Sequence, residues 1–431
     1  MLFQEVNWIR SNLNKFCPTL RNQALEWYRP FRFIPCFLQK YFKGARQRFK
    51  KLSVIVQMDS KQEFNTCLSS TAKVSGCKVN CELPLINSFS TKVNAKTLEK
   101  IIKNNSVKKV WYDGTVKTVL DVASKAVKAT TVWNAEGVTG KGIGVAVIDT
   151  GVYLHDDLLG RIIGFKDFVG NKTSPYDDNG HGTHVAGDIA SDGNLSNGLY
   201  KGTAPGANII GVKVLNKSGS GSLSTVIQGV QWCIDNKNIY NIRVINMSLG
   251  SSATQPSNED PVCAAVEKAW KNGIVVCVAA GNEGPEARTI SSPGIDPIVI
   301  TVGAMNDNNS LSPNDYKIAE FSSRGPTIDN LIKPDVICPG TNIISLRSPN
   351  STLDKQNKSS RVGTGYISLS GTSMATPVCA GIVALMLEAK KSLTPLEVKN
   401  LLKSTSTPLP NLNENIQGKG LVDASKAVNH L

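Results

Sequence analysis

The sequence lacks what several protein classes require. It shows no run of about 18 apolar residues, so no transmembrane segment is expected. Its start, MLFQEVNWIRSNLNKF, carries charges where a secretory signal has its apolar core, and no small-residue cleavage site follows. Export by that route is not expected. Charged residues make up only 19% of the chain against 41% apolar, with 36 glycines and 20 prolines, which excludes a disordered polymer. Cysteines at metal-ligand spacing are scarce too: Cys77 and Cys81 form one pair with no second. The ten cysteines are scattered through a chain long enough to build a real core. Without a signal, free thiols in a reducing compartment are the expectation, and the cytoplasm the expected location. No internal repeat is present.

What is there begins with an uneven charge distribution. The formal net charge is +14, and residues 1–140 hold 23 Lys+Arg against 9 Asp+Glu, which accounts for all of it. The remaining residues carry 25 of each sign. A boundary is therefore expected near 120–140, between a basic N-terminal region and an electrically neutral body. The stretch WYRPFRFIPCFLQKYFKGARQRFKK mixes aromatic and basic residues. It supports one alternative function, a catalytically minor protein whose first 50 residues tether nucleic acid or an acidic membrane surface. Such stretches are also plain solvated faces, and no nucleic-acid partner is expected.

Three regions follow from the patterning. Residues 1–51 read as a basic, helical extension. Residues 52–121 read as a small α+β domain with an antiparallel sheet: a strand SVIVQM, a helix-compatible segment, an extended stretch CELPLINSFSTKV, a helix NAKTLEKIIKN and a strand VKKVWYDGTVKTV. Residues 122–431 alternate helix-length segments with apolar strands, IGVAVID, NIIGVKVL, RVINMSL, GIVVCVAA and PIVITVG. Strands apolar on both faces belong in a buried parallel sheet, so the body is an α/β domain with helices packed on that sheet. The polar stretch RSPNSTLDKQNKSSRVGTG reads as an exposed loop.

In such a sheet the loops at the carboxyl ends of the strands converge on a crevice. Asp149, the segment Ser248–Gly250 and Asn282 each follow a strand, while His181 and Ser373 open helices. A serine hydroxyl needs an imidazole base, and the imidazole needs a buried carboxylate to fix its tautomer. Asn282 would add an amide donor for an oxyanion, and Ser373 its own N–H at a helix N-terminus. Taken singly, an Asp at a strand end or a Ser at a helix start is an ordinary cap. An esterase would want GxSxG, and Ser373 sits in GTSMA instead.

The segments DTG (149–151), HGTHVAG (181–187), SLG (248–250), AAGN (279–282) and GTSMATP (371–377), in that order, resemble the signatures of the subtilisin family. More narrowly, the chain resembles the intracellular alkaline serine proteases of bacilli and clostridia. The resemblance covers about residues 130–430 and implies a subtilisin-like parallel sheet with helices on both faces, preceded by a pro-region. It implies that Asp149 orients the base, His181 is general base and acid, Ser373 is the nucleophile and Asn282 the oxyanion donor. The substrate, a polypeptide, would lie extended between Gly219, Ser220, Gly221 and Ser248, Leu249, Gly250. Ala279, Ala280 and Gly281 would line the primary pocket with Glu283 near its floor, favouring large apolar residues. The pro-region, residues 52 to about 120, would act as chaperone and inhibitor and be removed around 117–125. No cofactor is needed for catalysis. A structural calcium is possible at Asp157, although the loop SDGNLSNGLYKGTAP departs from the usual ligand pattern, and Asp177 and Asp178 read as a solvated loop. His184 reads as structural and His155 and His430 as surface residues. Gly140, Gly142 and Gly144 precede their strand, unlike a dinucleotide fingerprint, and read as a connector.

Overall fold

The structure, a computed structural model, describes residues 5–31, 34–62, 78–113 and 123–431. The chain divides into two compact units, Met1–Thr118 and Val119–Leu431.

In the first unit a helical turn at Asn7–Arg10 and two longer helices, α1 (Pro18–Glu26) and α2 (Cys36–Phe49), precede β1 (Leu52–Met58), β2 (Val79–Leu83), β3 (Ser88–Val93), α3 (Ala95–Lys103) and β4 (Val107–Tyr112). The sheet is antiparallel in the order β2-β3-β1-β4, as the pattern of residues 52–121 predicts. Residues 63–77, which include the helix-compatible segment and Cys77, lie outside the described residues. β1 alternates buried and half-buried positions, and its buried Val54 and Val56 meet Leu98 and Ile102 of α3. The same core takes in Trp8, Ile9, Phe16, Leu20 and Trp27. The separation expected at residue 51 is therefore not a structural one. Aromatic residues in the first 28 positions complete the core of the α+β unit, and among its described residues the exposed aromatics are Phe37, Tyr41, Phe42 and Phe49 of α2.

In the second unit the strands are β5 (Gly144–Asp149), β6 (Ile162–Asp167), β7 (Asn208–Lys213), β8 (Ile242–Met247), β9 (Val275–Ala279), β10 (Ile300–Asn306), β11 (Lys317–Ile318) and β12 (Val336–Pro339). They order β11-β10-β9-β8-β5-β7-β6 with β12 also on β10, parallel throughout except β11. Residues of β5 alternate between two cores. Val145 and Val147 pack with α4 (His181–Ala190) and α8 (Thr372–Ala389); Ala146 and Ile148 pack with α5 (Leu223–Asp235) and α6 (Pro261–Lys271). Helices thus cover both faces of the sheet. α7 (Thr352–Gln356) and a three-stranded antiparallel sheet, Ile343–Leu346, Arg361–Val362 and Tyr366–Leu369, lie before α8, and α9 (Pro395–Thr405) follows it with a full capping box at Thr394 and Glu397. By length and composition α8 suffices to cross a membrane, which the sequence reading passed over, but it is mostly buried as the central core helix.

From β5 the chain runs outward to β6 and β7 on one side and to β8, β9 and β10 on the other. The carboxyl end of β5 is therefore the switch point of the sheet, and Asp149 stands on it.

Candidate active site

Asp149 is fully buried at the end of β5, and its carboxylate faces His181 Nδ1 at 2.8 and 3.0 Å. With acceptors opposite, Nδ1 carries the proton and Nε2 is left free for the cleft. α4 can lie this close to β5 because residue 182 is glycine: a Cβ there would strike the Gly151 carbonyl and stand 3.1 Å from Asp149 Cβ. Burial disfavours the charged imidazolium of His181, but the charge and hydrogen bond of Asp149 outweigh it and raise its pKa above the ordinary value.

Ser373 is the second residue of α8, and its hydroxyl donates to Ser248 O at 3.1 Å rather than to His181. The Ser248 hydroxyl returns a bond to Ser373 O at 2.8 Å, which ties the end of β8 to the start of α8. Asn282 accepts from Thr372 N at 2.9 Å and Thr372 Oγ1 at 3.0 Å through Oδ1. With its oxygen so occupied, the side-chain NH2 is free to donate beside Ser373.

Two cavities meet at Leu249 and Gly250. One of about 490 Å³ runs past His181 and Asn179, along Gly219–Gly221 and over Leu223, Val226 and Val262. The other, about 150 Å³, is enclosed by Leu249, Gly250, Ala279, Gly281, Asn282 and Ser373, with the exposed Glu283 at its rim. Every segment singled out from sequence is at this site except the side chain of Ala280, which points away into a small core with Cys263, Ile290 and Ile295. The pleat explains it: next to Ala279, it must face the opposite side.

The structure corrects other expectations. Asp177 is buried, accepting through Oδ1 from Thr150 Oγ1 and the amides of Asn179 and Gly180, and through Oδ2 from Thr183 N and Oγ1. It shapes the turn that enters α4. Asp178 pairs at 2.8 Å with Lys213, whose buried ammonium also donates to the carbonyls of Thr150 and Leu215. The residue two places before His181 and the turn after Asp149 are thus pinned by groups that sequence reasoning missed. His155 is buried rather than on the surface, with Nε2 2.9 Å from Gly365 O and Nδ1 accepting from Asp157 N. His184 is structural, as read, between Asp188 and the carbonyls of Ile343 and Ile367, and His430 is exposed.

Asp157 does not fit a calcium ligand. Its oxygens accept from Leu195 N, Ser191 Oγ and Tyr366 OH, all donors, where a calcium cage would present further oxygen ligands with free lone pairs. Among the described residues no group of three His, Cys, Asp or Glu side chains is placed to hold a metal.

Residues 140–420 match the Subtilase family. The chain is 49% identical over 440 residues to Serine protease AprX of Bacillus subtilis (strain 168), covering 99% of both chains. It is 36% identical to Thermostable alkaline protease of Halalkalibacterium halodurans, covering 80% of this chain and 83% of that one. A solved structure, of a cold adapted subtilisin-like serine proteinase, is similar at 34% identity and a TM-score of 0.51, covering 66% of this chain and 88% of that chain. With a buried Asp–His pair at the switch point of a parallel sheet and this similarity over its length, the chain belongs to the subtilase family of serine proteases, enzymes that hydrolyse peptide bonds.

Proposed function

We propose that the chain is an endopeptidase of broad specificity working through Asp149, His181 and Ser373. The observation that carries this reading is the Asp149–His181 pair opening on the same cleft as Ser373 and Asn282. Rotation of Ser373 about its Cα–Cβ bond turns the hydroxyl from Ser248 O towards His181 Nε2, which takes its proton as Oγ attacks the substrate carbonyl. The oxyanion of the tetrahedral intermediate is held by the Asn282 amide and the Ser373 N–H at the positive end of α8. His181 then protonates the leaving amine, and water releases the acyl group from Ser373. Peptide backbone pairs with Gly219–Gly221 and Ser248–Gly250. The side chain before the cut enters the pocket between Leu249 and Ala279, where burial of a large apolar group contributes about 1.5–3 kcal/mol. The N-terminal unit, residues 52 to about 120 together with the residues that share its core, acts as chaperone and inhibitor. Among the described residues seven cysteines are free thiols, five of them buried in the second unit, which suits a reducing cytoplasm.

An active-site serine phosphonate probe, an unfolded protein and a peptide series varied at the residue before the cut test this together. Wild type is expected to label and to favour large apolar residues over Ala by about 10- to 100-fold. Ser373→Ala should neither label nor turn over, with folding intact. Glu283→Gln should lower only a modest, salt-sensitive tolerance of Lys and Arg. Labelling of Ser373→Ala would remove the nucleophile from this position, and a strict need for Lys or Arg in wild type would overturn the pocket.

A further inference from the structure

The polar stretch after residue 346 is a built part of the cleft. Ser348 Oγ donates to Asp177 O at 2.7 Å, and the amides of Thr352 and Leu353 donate to the carbonyls of Asp178 and Asn179 at 3.0 and 2.9 Å. Those three carbonyls belong to the turn that leads directly into His181. Gly180, at φ +103°, is seated against the stretch: a Cβ there would press on Ser351 Oγ at 2.5 Å and on Leu353 Cβ at 3.6 Å. Buried Asp354 holds the stretch in shape, accepting from Asn350 N at 2.9 Å, from Arg347 at 3.0 Å and from Arg361 Nε at 2.6 Å. One apolar side chain in this polar sequence faces the cleft. Leu353, half-buried on α7, lines the larger cavity together with Asn179, His181 and Leu215.

We propose that Leu353 is a specificity-determining residue, forming with Leu215 and the face of His181 the wall that meets the side chain of the second residue before the cut. The proposal rests on the peptidase reading above. Side chains of an extended peptide alternate. If the residue before the cut enters the pocket on the Asn282 side, its neighbour turns to the other face, where the larger cavity passes His181. A leucine or valine at that second position covers Leu353 and Leu215. Alanine reaches neither, and a charged side chain sets its charge against two leucines.

The test is kcat/KM for peptides that share the residue before the cut and carry Ala, Leu, Lys or Glu at the second position, using the full-length chain with active sites counted by the phosphonate probe. Wild type is expected to favour Leu over Ala by about 5- to 10-fold. In Leu353→Ala this ratio should fall to about 2-fold or less. Leu353→Glu should raise Lys relative to Leu by about 3- to 10-fold, an effect that shrinks as salt is added. Selectivity at the residue before the cut should stay as in wild type in both variants. An unchanged ranking at the second position in probe-labelled variants would overturn the role of Leu353, as would an equal loss of selectivity at both positions, which would mark a general loosening of the turn before His181. Failure of the peptidase reading would look different: no labelling and no turnover of any peptide, wild type included.

Discussion

In the proposed mechanism the charge state of one imidazole sets the working pH. There His181 must be neutral to accept the Ser373 proton, and its pKa is raised because Asp149 outweighs the burial that opposes the imidazolium. Activity should therefore rise with pH through a limb lying above the ordinary histidine value of about 6.5. Asp149→Asn leaves the burial and removes the opposing charge, so the limb should move below that value while turnover falls by about 10³- to 10⁴-fold. Profiles of kcat/KM from pH 5 to 10 on one peptide decide it; a limb in Asp149→Asn at or above the wild-type position would deny Asp149 this role. The four residues of the proposed machinery were legible in sequence because each follows an apolar strand or opens a helix, where position alone aims a side chain at the crevice. Lys213 and Asp177 were not. A lysine after IIGV reads as a solvated end, and nothing local shows that Thr150 O, Leu215 O and Asp178 will surround its ammonium. Their role is created by loops distant in sequence.

At the scale of elements, α9 is anchored by a buried cation. Lys399 Nζ donates to the carbonyls of Pro297 at 2.8 Å, Ile298 at 3.3 Å and Val299 at 2.8 Å, just ahead of β10, and lies 3.2 Å from Asp335. Lys333 shares that carboxylate at 2.6 Å. Burial, then the charge of Lys333, push the Lys399 ammonium down to about 7 against the pull of Asp335. In the unfolded chain the same group titrates near 10.5, so between about 7 and 10.5 the unfolded state binds more protons and stability rises with pH. Lys399→Met removes that rise and leaves carbonyls without a donor, costing about 1–3 kcal/mol. Its deficit against the parent should grow from pH 7 to pH 9.5 in urea unfolding, measured in a Ser373→Ala background to suppress self-digestion. A deficit constant across that range would show that the ammonium stays charged in the fold. The strands of the central sheet could be read because both faces are buried, which writes a continuous apolar run. β6 escaped, since at the sheet edge it is mostly half-exposed and carries no such run. The strands of the small sheet, two to four residues each, were too short to show a period, and α7 was hidden in a sequence that is polar except for Leu353.

At the scale of the whole molecule, the chain has two separate sets of cores, one within Met1–Thr118 and the others within Val119–Leu431. The charge imbalance placed a boundary near 120–140, close to this division. The boundary expected at 51 failed because Trp8, Phe16 and Trp27, in a segment read as a helical extension, still fill a core from the side. Between the end of β4 at Tyr112 and the helix that starts at Ala123 lie ten residues, enough chain to span about 33 Å when extended. A peptidase that binds its substrate as an extended strand needs only a few residues on either side of the cut, and we propose this connection as a substrate carried by the chain itself. Self-cleavage within about 117–125 should therefore occur in wild type and not in Ser373→Ala. Intact-mass and N-terminal analysis of the two proteins, expressed and purified side by side, reads this directly. Wild type is expected to begin within that window and Ser373→Ala to keep its first 116 residues. A trace of active wild type added to Ser373→Ala should cut it at the same place if the connection is accessible between molecules. Identical N-termini in both proteins would mean that the first unit remains attached as a permanent domain, and its proposed role as a removable inhibitor would be lost.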